Sequence, residues 1–138
     1  MESPGSYRPI GSGTDGQTHW EIGVVGQTWT EGRFEVWHRD PATYERTDLI
    51  ERIEFRSFDR SLDVREVRFK RLPILLGTAP PEAAFVVVVS DPPRPKCVAT
   101  KKLEWDDRRI WVTLYGRLRL RRLRALDGNG DVIAETEQ

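Results

Sequence analysis

Short runs of alternating apolar and polar residues, each closed by Gly, Pro, Asn or Asp, constrain this chain more than any other feature. From Trp20 onward the period is two, the repeat of a half-buried strand whose side chains point alternately to core and solvent. Trp20–Val25, Phe34–His38, Ile53–Phe58 and Val64–Phe69 carry it, and Ala84–Val89 is apolar at nearly every position, as in a strand covered on both faces. Further runs lie near 97–105, 109–115 and 117–126, with a short one at 132–136. The intervening Asp40-Pro41, Gly77 to Pro81 and Asp91 to Pro95 segments are turn or linker chemistry. Residues 42–52 alone have reasonable helix propensity, enough for at most one short helix. Eight or nine short strands predict an all-β fold. We expect an antiparallel β-sandwich, with a closed antiparallel β-barrel as the alternative.

The length of 138 residues suits one domain with an adequate core. Residues 1–18, where Gly5, Gly11, Gly13 and Gly16 alternate with Ser, Thr, Pro and Asp, read as a flexible amino-terminal tail. Residues 19–138 then form a single all-β domain. No run approaches the apolar length of a membrane span, and the first residues lack a signal-peptide layout, so the expected location is cytoplasmic. Cys97 is the one cysteine, which excludes an internal disulfide and a Cys-rich zinc site. No cofactor is expected.

Twenty-two basic and 22 acidic side chains sum to zero, but they are not evenly spread. Residues 1–69 carry 9 basic and 13 acidic groups, whereas residues 70–138 carry 13 and 9. Arg117, Arg119, Arg121, Arg122 and Arg124 fall in a stretch without a single acid. Arg favours planar, bidentate pairing and stacking on rings, which suits fixed contacts better than a mobile solvated coat. This strand, with Trp111 beside it, is the expected interaction surface.

Two hairpins can be registered from the sequence. A two-residue turn at Asp106-Asp107 sets Leu103 against Ile110, Glu104 against Arg109 and Lys102 against Trp111. A type I′ turn at Asn129-Gly130 sets Leu126 against Ile133, Arg124 against Glu135 and Arg122 against Glu137. The doubled Arg121-Arg122 interrupts an Arg–Leu alternation, and a bulge there returns Leu123 to the face of Leu120.

Other constellations are weaker. Trp20, Trp29 and Trp37 could line a pocket mouth for an apolar or sugar-like ligand, although such residues more often pack sheets. Asp127, Asn129 and Asp131 are spaced like the start of a calcium loop, but Val132 stands where that loop needs Gly and Gln138 where it needs Glu. Asn-Gly turn chemistry explains the same residues without a metal. His19 and His38 are too few for a three-imidazole zinc site, and neither belongs to a hydrolase or metalloprotease motif. We therefore expect a non-enzymatic interaction module that acts through protein–protein contacts and can self-associate. The alternatives are a small-ligand β-barrel, either a carrier or a cyclase-like enzyme with a Trp-lined cavity, and an anion or single-stranded nucleic-acid binder using the Arg-rich strand. The zero net charge argues against nucleic acid as the main partner.

Overall fold

The computed structural model describes residues 7–69, 72–91, 95–114 and 119–138. The chain is all-β, with twelve strands among these residues. They form three antiparallel sheets of four strands, none closed into a barrel. Two compact units result, Met1–Ser57 and Phe58–Gln138. The boundary falls inside the stretch read from sequence as one domain.

The amino-terminal unit is a meander of β1 (Tyr7–Asp15), β2 (Thr18–Val25), β3 (Arg33–Arg39) and β4 (Arg46–Glu54). Its first strand occupies Tyr7–Asp15, within the segment that the sequence reading assigns to an amino-terminal tail. Gly13 pairs with Trp20 across β1 and β2. A Cβ at Gly13 would lie 2.5 Å from the Trp20 ring, so glycine here admits an aromatic side chain. Gly23 makes the same allowance for Tyr7. Low side-chain content resembled disorder, whereas its physical purpose is close approach.

Most of the 42–52 segment, where at most one short helix was expected, lies in β4. The Asp40 carboxylate accepts backbone N–H bonds from Ala42 (2.7 Å) and Thr43 (3.1 Å), and Tyr44 N–H donates to Asp40 O at 2.8 Å. One helical turn therefore begins. Tyr44 then takes the left-handed conformation (φ 62°), which stops the helix and returns the chain as β4. The residue is 66% exposed, and its ring receives the Arg39 guanidinium at 5.3 Å. The backbone donors of Thr43 and Ala42 hold the Asp40 carboxyl below the usual carboxylate range. Helical geometry appears instead as a 3-10 turn at Phe55–Ser57, where strand had been expected.

The carboxy-terminal unit contains two sheets. One has the order β5 (Asp63–Phe69), β6 (Leu72–Ala79), β10 (Arg109–Leu114), β9 (Lys101–Lys102). The other has the order β12 (Val132–Glu137), β11 (Arg119–Leu126), β7 (Phe85–Asp91), β8 (Lys96–Ala99). Leu75 and Trp111 of the first sheet share a core with Val86, Val88, Val98, Leu123 and Ala125 of the second. This is sandwich packing, with alternate residues of each strand turned inward. β6 escaped the sequence reading because Pro73 and Gly77 look like linker residues. In the fold Gly77 pairs with Trp111 and makes room for its ring, and Trp111 Nε1–H donates to Thr78 O at 3.0 Å.

Both hairpin registers need adjustment. Lys102 pairs with Arg109 and Lys101 with Ile110, two residues away from the expected alignment. The Asp106 carboxylate accepts the Arg108 backbone N–H at 2.8 Å and widens the connection, while Leu103 leaves the ladder for the core. A two-residue slip preserves which face each side chain occupies. In the second hairpin Arg122–Glu137 and Arg124–Glu135 pair as expected, but Leu126 meets Val132 rather than Ile133. Gly130 N–H donates to Asp127 O at 3.0 Å, and Gly130 has φ 85°. The turn is therefore a type I turn centred on Gly128-Asn129, followed by a glycine bulge, rather than the two-residue type I′ form.

Two substitutions test these local causes. Gly77→Ala places a methyl group against both the Trp111 ring and the Asp63 carbonyl. We predict a loss of about 1–3 kcal/mol in urea unfolding, and an unchanged midpoint would refute the ring-over-glycine packing. At the β3–β4 turn both Tyr44→Gly and Tyr44→Ala lose the Arg39 contact, but only alanine retains the left-handed penalty. Tyr44→Gly should be about 1 kcal/mol more stable than Tyr44→Ala, and equal midpoints would refute the strain assignment.

Candidate interaction face

The arginine-rich strand lies at β11, between β12 and β7. Its bulge falls between Leu120 and Arg122, as the doubled arginine predicts, and Leu123 enters the core. Arg122 and Arg124 then face away from that core. Arg122 Nε meets Glu137 at 2.7 Å, and Arg124 Nε meets Glu135 at 2.9 Å. Arg122 also approaches Glu135 at 3.6 Å. These half-exposed pairs form a short lattice whose charges largely cancel, and each pair contributes about 1 kcal/mol or less.

Arg119 and Arg121 differ from that lattice. Both are exposed, and neither has a side-chain ion pair among the described residues. Arg119 stands opposite Asp91 in the ladder, whereas Arg121 is the bulged residue with no opposite position on β7. Val89, Ser90, Asp91, Arg121, Arg122 and Glu137 line a cleft of about 280 Å³ at this end of the sheet. Arg117 lies outside the described residues.

The same sheet face has an apolar half. Val86 and Val88 point into the core, leaving Phe85, Val87 and Val89 on the opposite side of β7. Phe85 is 37% exposed, and Val87 and Val89 are half-buried. At the neighbouring edge, Val132 and Ile133 of β12 are 55% and 40% exposed. Cys97 pairs with Val87 across β7 and β8, and it is exposed. Arginine–glutamate pairs on β11–β12 thus lie beside an apolar lane on β7–β8.

The other sequence candidates distribute differently. Trp111 is fully buried, so it is a core residue and takes no place on this surface. Its central strand and the gap above Gly77 explain that correction. Trp20, Trp29 and Trp37 do not gather around a pocket. Trp20 is buried beside the Ile22 and Val24 side of β2, whereas Trp37 pairs with Glu21 on the other side of the sheet. Trp29 stacks on Phe55, with ring centroids 4.9 Å apart. As for the calcium-like spacing, Asp127 Oδ1 accepts the backbone N–H groups of Asn129 (2.9 Å) and Asp131 (3.0 Å), serving the turn. Among the described residues, no group of three His, Cys, Asp or Glu side chains is arranged to hold a metal.

A second polar assembly escaped the sequence reading. Glu35 is buried on β3 and accepts bonds from Arg33 Nε at 2.8 Å and Trp37 Nε1 at 3.0 Å. Arg52 Nε stands 3.8 Å from the same carboxylate. Tyr7 O–H donates to Glu21 at 3.3 Å, and Arg46 lies 3.6 Å from the Tyr7 ring centroid. Burial, and then the Glu21 charge, push the Tyr7 hydroxyl above its ordinary range. The period-two series Arg33, Glu35, Trp37, Arg39 was the available signal. Its carboxylates are engaged as acceptors, so the cluster stiffens the sheet.

The two charged assemblies should respond differently to neutralisation. Glu35→Gln replaces a buried charged acceptor with a weaker one for the partly buried Arg33 and Trp37 donors and should cost about 1.5–3 kcal/mol. Glu137→Gln, at an exposed pair, should cost less than about 1 kcal/mol. Equal losses in denaturant titrations would contradict this division.

Comparisons with protein-family models, curated proteins and solved structures gave no match for this chain.

Proposed function

We propose that this chain is a non-enzymatic interaction module working through protein–protein contacts at the outer face of the β12–β11–β7–β8 sheet. The observation that supports this reading is the placement of Phe85, Val87 and Val89. Their alternate neighbours fill the sandwich core, yet these three remain at least partly open on the other face. An apolar lane beside charged pairs is the composition of a protein-contact surface, with a greasy centre and a polar margin that sets register. The arrangement favours a protein over nucleic acid, because Arg122 and Arg124 already face carboxylates. It also gives a small-ligand cavity less support, since the three tryptophans do not converge.

Cys97 offers a direct test, being exposed and opposite Val87. A photo-crosslinker attached to its thiol should capture proteins in an extract, and Phe85→Lys should reduce that yield at least about fivefold. A control chain with Cys97→Ser and Asp107→Cys carries the probe outside the proposed face. Equal yields from both positions, or adducts abolished by nuclease, would overturn the reading.

A further inference from the structure

We infer that the partner of this face is a second copy of the same chain, packed face to face across a twofold axis perpendicular to the strands. The inference rests on the proposed contact face and adds the partner's identity. Its basis is the order of charges along that face. Arg119 and Arg121 lie at one end of β11, with Arg121 lacking an opposite residue on β7. Asp127 and Asp131 lie at the other end, in the turn joining β11 to β12. Glu82 is exposed in the segment before β7, at the end where Ala84 N–H donates to Leu126 O. One sheet face therefore carries, at one end, Arg119 and Arg121, which make no side-chain ion pair among the described residues, and carboxylates at the other, with Arg121 and Asp127 roughly 20 Å apart at about 3.3 Å per residue.

A twofold axis lying between the sheets and perpendicular to their strands reverses the strand direction while preserving the lateral order. β7 then faces β7 of the partner, bringing apolar lane against apolar lane. The Arg121 end of each copy meets the Asp127–Asp131 end of the other. Both contacts occur twice, as an isologous interface requires. Facing the copies in parallel would instead set arginine against arginine and carboxylate against carboxylate, which costs binding free energy. Edge pairing through β12 is less favourable as well, because Glu135 and Glu137 would approach the same residues of the partner.

The purified full chain in sedimentation equilibrium tests this arrangement. Arg121→Glu and Asp131→Arg are both exposed changes whose side chains make no hydrogen bond or ion pair among the described residues. Each should weaken dimerisation about tenfold or more, while the double variant should return to within about threefold of the parent. Restoration is expected because each end then carries the charge complementary to the other. Far-ultraviolet circular dichroism identifies any variant that has lost its fold, and Arg121→Asp with Asp131→Lys supplies a second swap. A double variant no better than either single overturns the antiparallel dimer. A parent that stays monomeric at every concentration also overturns it. In that event Phe85-dependent crosslinking at Cys97 still identifies contact with another protein, so the two failures remain distinguishable.

Discussion

Trp111 rests against Gly77 on the adjoining strand and directs its indole N–H to the Thr78 carbonyl at 3.0 Å. The core of the carboxy-terminal unit is assembled around that contact, from Leu75 and Ala79 on one sheet to Val86, Val88 and Leu123 on the other. Glycine within a strand costs about 0.5–1 kcal/mol through backbone entropy. Burying an indole removes roughly 150–250 Å² from water, worth about 4–6 kcal/mol as an upper estimate. The ring therefore outweighs the glycine several times over. Its N–H must still be satisfied, and the Thr78 carbonyl meets that requirement without opening the core.

With the inner face filled by Trp111 and the aliphatic residues, β7 has no further room for its outward side chains. That division creates the partly open outer face of β7. Val86 and Val88 enter the core, while the pleat necessarily turns Phe85, Val87 and Val89 away from it. The bulge in β11 then keeps Leu120 and Leu123 on the inner side despite two consecutive arginines between them. Without the extra residue, either an arginine would enter the apolar core or Leu123 would leave it. Burying an unpaired guanidinium is the costlier result, so core packing and the charged outer lane depend on the same irregularity.

The strands with strong alternation were legible because period two survives tertiary packing. The β11–β12 charge pairs were legible too, since Arg122, Arg124, Glu135 and Glu137 can be aligned from the turn outward. Positions chosen by contacts across strands were harder to read. Gly13 and Gly77 looked like breakers because their ring partners are supplied by neighbouring strands. Residues 42–52 carried the chain's reasonable helix propensity because local preference does not include the left-handed stop at Tyr44 or pairing with β3. Trp111 looked available for an interface because an amphipathic strand does not reveal which of its faces a second sheet will cover.

Neutral net charge has a similar spatial explanation. Exposed ion pairs stabilise a fold only slightly, so the Arg122–Glu137 and Arg124–Glu135 rows are insufficient to account for the sandwich. Their larger consequence is to remove most of the charge from the centre of an otherwise arginine-rich face. The bulged Arg121 and the carboxylates of the 127–131 turn remain at opposite ends. A uniform excess of cations would attract many anionic surfaces, whereas opposite charges separated along an apolar lane select an orientation. The local break in alternation thus keeps leucines in the core and leaves Arg121 at the end of the strand with no side-chain ion pair among the described residues.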